Sequence, residues 1–288
     1  MNFENKTKNS KERFSVEQIC EQGAGLMNED VFFAQGNVFG VADGASSSND
    51  WEDPDGKTGG YRASHIVEHV VRTSEDLSPR EQLLKANKRV DEEMREHDDI
   101  DIQDKCSVWT TTAALVRVED ESFLWAQIGD SRIVLIYKDE TFKTLGSDLD
   151  WDIEIIALWQ KLVQKGVFEE RARDNSVIDK QVKKVRSRAN ADYGLLNGDE
   201  RMEEFLQSGE KPLENVSAIL LFTDGLTIPK EDPRLEDDIA GIVRLYNEGG
   251  LSGVKDRIRS LEKSDPKFQR FPRLKPSDDI AAVAIKFS

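Results

Sequence analysis

The chain has 288 residues, enough for a sizeable core, and its 56 Asp and Glu against 40 Lys and Arg leave a net charge of −16. Such a surface repels phosphate backbones, which argues against a nucleic-acid partner and leaves divalent cations welcome. Two distant cysteines, Cys20 and Cys106, give neither a disulfide framework nor a cysteine zinc site; with no signal-like start and no apolar run of about 20 residues, a cytoplasmic monomer away from membranes is expected.

Residues 1–12 carry almost no apolar side chains and are expected to form a disordered tail, with residues 13–288 a single domain that holds a charged, partly helical insert around 147–200. Phe14, Val16, Gln18 and Cys20 alternate with polar neighbours as in a half-buried strand. A loop at Gly23-Ala24-Gly25 leads through Asn28-Glu29-Asp30 to a strand at 31–34. Gln35-Gly36-Asn37 then reads as a hairpin turn into a second strand that ends at Asp43-Gly44. Pairing those strands brings Glu29 and Asp30 to the sheet end that carries Asp43.

A polar loop over 46–60 precedes a helix with Tyr61, Ile66, Val67, Val70 and Val71 on one face. Ser78-Pro79-Arg80-Glu81 announces a second helix with a capping box. Strands at 111–118, 122–128 and 132–137, joined by short turns, read as an antiparallel meander. Ile155, Leu158, Trp159, Leu162 and Val163 form a helix closed by Gly166. The segment 169–188 holds a local basic excess, read either as a solvated helix or as a cationic flap over an anionic substrate. A short strand and turn at 193–199, the strand before Asp224, helices around Ile239–Tyr246 and Leu251–Leu261, and a last strand after Asp279 complete the chain. The expected fold class is α+β, two packed antiparallel β-sheets forming a sandwich flanked by α-helices.

Carboxylates mark the ends of several of these strands: Asp43 and Asp224 each followed by glycine, Asp130 in Gly129-Asp130-Ser131, and Asp278-Asp279 before the last strand. One Asp-Gly pair is ordinary turn chemistry. Four on separate apolar strands would repel one another unless cations sat between them, and hard oxygen donors suit Mg²⁺ or Mn²⁺. A two-metal site is therefore expected.

The order Asn28-Glu29-Asp30, Val41-Ala42-Asp43-Gly44, Thr111-Thr112-Ala113, Gly129-Asp130-Ser131-Arg132, Phe222-Thr223-Asp224-Gly225 and Ser277-Asp278-Asp279-Ile280 resembles the metal-dependent protein phosphatase family, the 2C type of Ser/Thr phosphatases, and its bacterial members in particular. The resemblance implies a β-sandwich with flanking helices and hydrolysis of phosphomonoesters on a phosphorylated protein by a water activated between two Mn²⁺ or Mg²⁺ ions. By the same resemblance Asp43 bridges the ions, the Gly44 carbonyl binds one, Asp224 and Asp278 hold the other, and Glu29 and Asp30 act through waters. Asp130 stands where a weaker third ion can bind, and Asp279 takes the place of the family's asparagine.

The chain departs from the family twice. The arginine usually found before the Glu-Asp pair to grip the phosphate is replaced at Gly25, and Asp43-Gly44-Ala45-Ser46 stands where Asp-Gly-His-Gly is often found. Arg62, Arg186 or Arg188 would then supply the phosphate contact. Two alternatives remain open in the sequence. One is a catalytically weak pseudophosphatase or phosphoprotein-binding regulator. The other is a zinc peptidase through His65, Glu68 and His69, which match H-x-x-E-H on a helix whose apolar stripe turns these histidines toward solvent.

Overall fold

The computed structural model describes residues 13–45, 51–146, 151–169 and 171–288; the expected tail at 1–12, Ser46 to Asp50 of the polar loop and the start of the charged insert lie outside the described residues. In chain order the strands are β1 (Phe14–Glu21), β2 (Val31–Gln35), β3 (Val38–Ala45), β4 (Thr110–Val118), β5 (Ser122–Ile128), β6 (Arg132–Tyr137), β7 (Phe142–Leu145), β8 (Gln207–Pro212), β9 (Val216–Phe222) and β10 (Ile280–Phe287). The helices are α1 (Gly59–Thr73), α2 (Pro79–Met94), α3 (Ile153–Gln164), α4 (Ser176–Arg186) and α5 (Ile239–Ser264).

Two five-stranded sheets result, one ordered β1-β10-β9-β6-β7 and the other β2-β3-β4-β5-β8, with the recorded pairings antiparallel. Their facing sides interdigitate through Phe39, Val41, Val116, Phe123, Leu135, Leu221 and Val283. The outer side of the β3 sheet is covered by α1 and α2 through Phe33, Val67, Leu83 and Leu115, and that of the β10 sheet by α5 through Leu220, Phe222, Val254 and Ile258. Antiparallel sheets usually leave one face wet and alternate in sequence. Here helices cover both outer faces, so β3, β4, β9 and β10 are buried on both sides and read as near-continuous apolar runs.

Local signals account for the element ends. Gly36 at φ +60° closes the β2–β3 hairpin with Gln35 opposite Val38. Ser78 and Glu81 form the expected capping box on α2, and Gly166 at φ +86° follows α3. The two helices expected after Asp224 form the two halves of α5, which breaks at Gly250 (φ +65°), where Glu17 accepts from the Leu251 amide at 2.9 Å and caps the second half.

Three expectations change. The meander does not continue past β5: β4 and β5 pair with each other, but β6 crosses to the opposite sheet and lies between β9 and β7. Gly129 makes the crossing, with φ +77° and the Thr112 Cγ2 atom 2.4 Å from where a Cβ would stand. Two polar edge strands, β7 and β8, are additional, because backbone pairing to β6 and β5 rather than apolar alternation defines them. The short strand at 193–199 reduces to isolated bridges, Leu196 with Thr111 and Tyr193 with Ala189.

The described part of the charged segment carries two helices, α3 and α4. Ile178, Val182 and Val185 of α4 bury against Ile155, Trp159 and Val163 of α3, while Lys180, Lys183 and Lys184 face outward. No helix among the described residues is long and apolar enough to cross a membrane.

Gly129→Ala should destabilise the fold by about 1–3 kcal/mol, the range for a forced left-handed residue, with the Thr112 clash adding to it. Urea denaturation followed by tryptophan fluorescence checks this; an unchanged midpoint would remove Gly129 as the determinant of the crossing.

Candidate metal centre

The acidic strand ends from both sheets meet at one rim of the sandwich. Asp43 lies near the end of β3, opposite Thr112 of β4, and its carbonyl accepts from the Thr111 hydroxyl at 2.7 Å. Asp30 directly precedes β2 and is 5% exposed. Asp224 opens a tight 3₁₀ turn after β9, held by Thr227, whose hydroxyl donates to the Asp224 carbonyl at 2.6 Å. The next residue has to be glycine, because a Cβ on Gly225 would stand 1.8 Å from the Asp279 carbonyl oxygen. That close approach sets the Asp224 turn against the start of β10.

The same proximity raises the carboxyl groups. Burial, and then the charges of Asp278, Asp224 and Asp279, hold Asp30 well above the usual carboxylate range. Asp43 is raised likewise, by burial first and then by Asp30, Asp224, Asp130 and Asp278. Asp224 is pushed from 3.8 to about 7 by burial and by Asp278, and its carboxylate accepts a hydrogen bond from the Asp43 carboxyl. Asp43, Asp224, Asp278, Asp30 and Asp130, drawn from distant parts of the sequence, thus feel one another's charge.

Asp279, Glu29 and Asp278 also carry partners of their own. Asp279 accepts from the amides of Gly23 (2.7 Å) and Glu29 (2.9 Å), so it clamps the 23–29 loop onto β10. Glu29 receives the Thr58 hydroxyl, and its carbonyl accepts from the Ser64 hydroxyl at 2.6 Å, which ties the loop to α1. Asp278 accepts from the Lys275 ammonium at 2.5 Å. Lys275 is pushed above its ordinary value because the attraction of Asp278, Asp224 and Asp279 outweighs burial.

Among the described residues no group of three or more Asp, Glu, His or Cys side chains is arranged as a metal cage. The donor chemistry nevertheless fits a hard divalent ion. The rim offers carboxylates, Asp30 Oδ2 is buried without a hydrogen-bond partner among the described residues, and burial and the neighbouring charges raise Asp30 and Asp43. Positive charge between them removes that repulsion.

Several expected contacts lie elsewhere. Arg62 turns its fork onto buried Asp53, Arg188 pairs with Glu154 and Asp192, and Arg186 lies beside Arg173, Asp152 and Tyr193 in the insert. The zinc-peptidase motif does not assemble. Glu68 is held by Arg72 at 2.8 Å, and His65 is half-buried rather than solvated, stacked on Tyr61 with ring centroids 3.8 Å apart; His69 is exposed. Lys275 and Asp152 are neighbours of the site that the sequence did not single out; Thr223, from the motif around Asp224, lowers Asp30 by hydrogen bonding, and Asp152 raises Asp224. A lysine three residues before an aspartate across a proline is the only signal Lys275 offers, and it is a common one.

Residues 21–151 match the family described as Protein phosphatase 2C. No protein of curated function matches the chain by sequence. Among solved structures, a bacterial serine phosphatase superposes with a TM-score of 0.60 at 16% identity, over 96% of this chain and 98% of that one. The serine/threonine phosphatase Stp1 from Staphylococcus aureus superposes with a TM-score of 0.59 at 16% identity, over 99% and 100%. The catalytic domain of the serine threonine protein phosphatase PstP, in complex with two manganese ions, does so at 0.55 and 15% identity, over 95% and 97%. The resemblance to the 2C-type phosphatases is thereby met in the sequence of the first half and in the fold of nearly the whole chain.

A group whose value is raised on folding binds more protons folded than unfolded, so stability is lost as pH rises through the gap. For Asp224 the gap runs from 3.8 to about 7. In EDTA the melting temperature should fall across that window, and Asp224→Asn should flatten the slope and raise melting at neutral pH by about 2–4 °C, the shift for 1 kcal/mol. Differential scanning calorimetry decides; an Asp224→Asn variant that melts no higher than wild type in EDTA would mean that the rim carries no repulsion.

Proposed function

We propose that the protein is a divalent-metal-dependent phosphatase of phosphoserine and phosphothreonine proteins. The observation that carries this reading is the meeting of Asp43, Asp224, Asp278 and Asp30, from both sheets, at one rim where their like charges raise one another's pKa. The phosphatase structures of like fold, one of them with two manganese ions, support it.

In this reading Asp43 and the Gly44 carbonyl would hold one Mn²⁺ or Mg²⁺, Asp224 and Asp278 together with Asp43 would hold the other, and Asp130 would hold a weaker third. Bound there, such ions activate water at neutral pH and stabilise the charge of an in-line phosphoryl displacement. The chain's own residues position that chemistry. Asp279 and the Gly225 contact fix the β10 end against the Asp224 turn, and Thr111 holds the backbone of Asp43. In the same reading Asp30 and Glu29 would orient water; Thr223 is hydrogen-bonded to Asp30, and the Glu29 carboxylate accepts from the Thr58 hydroxyl. Neither cysteine is given a role: desolvation of the thiol pushes Cys20 up to about 11 and raises Cys106 as well.

Hydrolysis of p-nitrophenyl phosphate and of a phosphothreonine peptide tests the reading. Activity should require Mn²⁺ or Mg²⁺, vanish in EDTA, and fall at least about 100-fold in Asp43→Asn, since the ions supply several kcal/mol. Hydrolysis that survives chelation would overturn the mechanism. Binding of the phosphopeptide without turnover would favour the pseudophosphatase.

A further inference from the structure

A phosphate dianion entering a rim of carboxylates on a chain of net charge −16 needs a cation from the protein as well as from metal ions. The cations around the rim are mostly committed. Arg62 is paired with Asp53, Arg259 with Glu21, Glu262 and the Asp278 carbonyl, Lys255 with Glu21 and Asp256, and Arg132 with Asp237. Lys275 differs in its partner: its ammonium is bound to Asp278, one of the rim carboxylates itself, and the side chain is 40% exposed.

Its placement also matters. The 23–29 loop lies directly on the residues that follow Lys275, through the Ala24 amide to the Ser277 carbonyl at 3.0 Å and the Gly23 amide to Asp279 at 2.7 Å. Gly25, where the resemblance sets a phosphate-gripping arginine, is in that loop. Positive charge missing from one side of the contact is present on the other.

We propose that Lys275 is the phosphate-binding residue of this site, held on Asp278 until a divalent ion takes that carboxylate and then turned to the phosphoryl oxygens of the substrate. The inference rests on the phosphatase reading above. The ammonium sits on Asp278 Oδ1, so an ion that takes that oxygen displaces it, and Lys275 thereby also weakens ion binding at the Asp224–Asp278 side. Four rotatable carbons and three donors let the displaced head reach a neighbouring anion without movement of the backbone fixed by Pro276.

The test compares full-length wild type, Lys275→Met and Lys275→Arg. Calorimetric titration of EDTA-stripped, dialysed protein with Mn²⁺ should show Lys275→Met binding the ion several-fold more tightly than wild type. Titration of the Mn²⁺-loaded proteins with inorganic phosphate should show affinity about tenfold weaker in Lys275→Met and within about threefold of wild type in Lys275→Arg, as the loss of one charge-assisted contact predicts. KM for a phosphothreonine peptide should rise in parallel, with kcat changed less.

Unchanged phosphate affinity in Lys275→Met would overturn the proposal, as would wild type that binds no phosphate when loaded. Weaker Mn²⁺ binding in Lys275→Met would overturn it too, making Lys275 a support for Asp278. The metal and phosphate titrations need no turnover, so an inactive wild type would count against the phosphatase reading alone.

Discussion

Like-charge repulsion at the rim is the constraint around which this molecule is arranged. Asp30 and Asp43 belong to one sheet and Asp224 and Asp278 to the other, and stacking the two sheets forces their ends together. In an apolar sandwich nothing in the packing offsets that repulsion. The carboxylates answer it by taking up protons, by sharing a hydrogen bond between Asp43 and Asp224, and by recruiting Lys275. A divalent ion would do the same with more charge, which is the physical basis of the ion site proposed for this rim.

The surroundings keep the acidic ends from moving apart. Asp279 spends both oxygens on amides of the 23–29 loop, and Gly225 lets the Asp224 turn press against the Asp279 carbonyl. On the other side, Thr58 and Ser64 bind Glu29 to α1. These contacts use backbone groups and short side chains, which have little rotamer freedom to lose. The rim is therefore supported by the same hydrogen bonds that join the sheets to the helices.

The helical insert reaches this rim from outside. Its core of Trp159, Ile178 and Val185 is shared with Phe268 and Leu274, and the Ala172 amide donates to the Leu274 carbonyl at 2.8 Å, next to Lys275. Gln160 joins α3 to the Glu231 carbonyl in the loop that follows Asp224, and Asp152 is near enough to raise Asp224. The outward lysines of α4 thus belong to a body attached beside the acidic ends, on a chain that is otherwise strongly acidic.

Much of this was legible in the amino-acid sequence because it is set by local chemistry. Apolar runs ending in Asp-Gly gave the strand ends, Ser78 to Glu81 gave a helix start, and the paired strands around Gly36 placed Glu29 and Asp30 beside Asp43. Edge strands β7 and β8 escaped notice because backbone pairing leaves no apolar pattern, and the passage of β6 to the other sheet depends on one dihedral at Gly129. Only the tertiary structure could decide which cations stay near the rim. Arg62 and Arg188 are drawn off by Asp53 and Glu154, whereas Lys275 is held by Asp278; charge acts through space, and composition and spacing carry no record of which opposite charge lies within 3 Å.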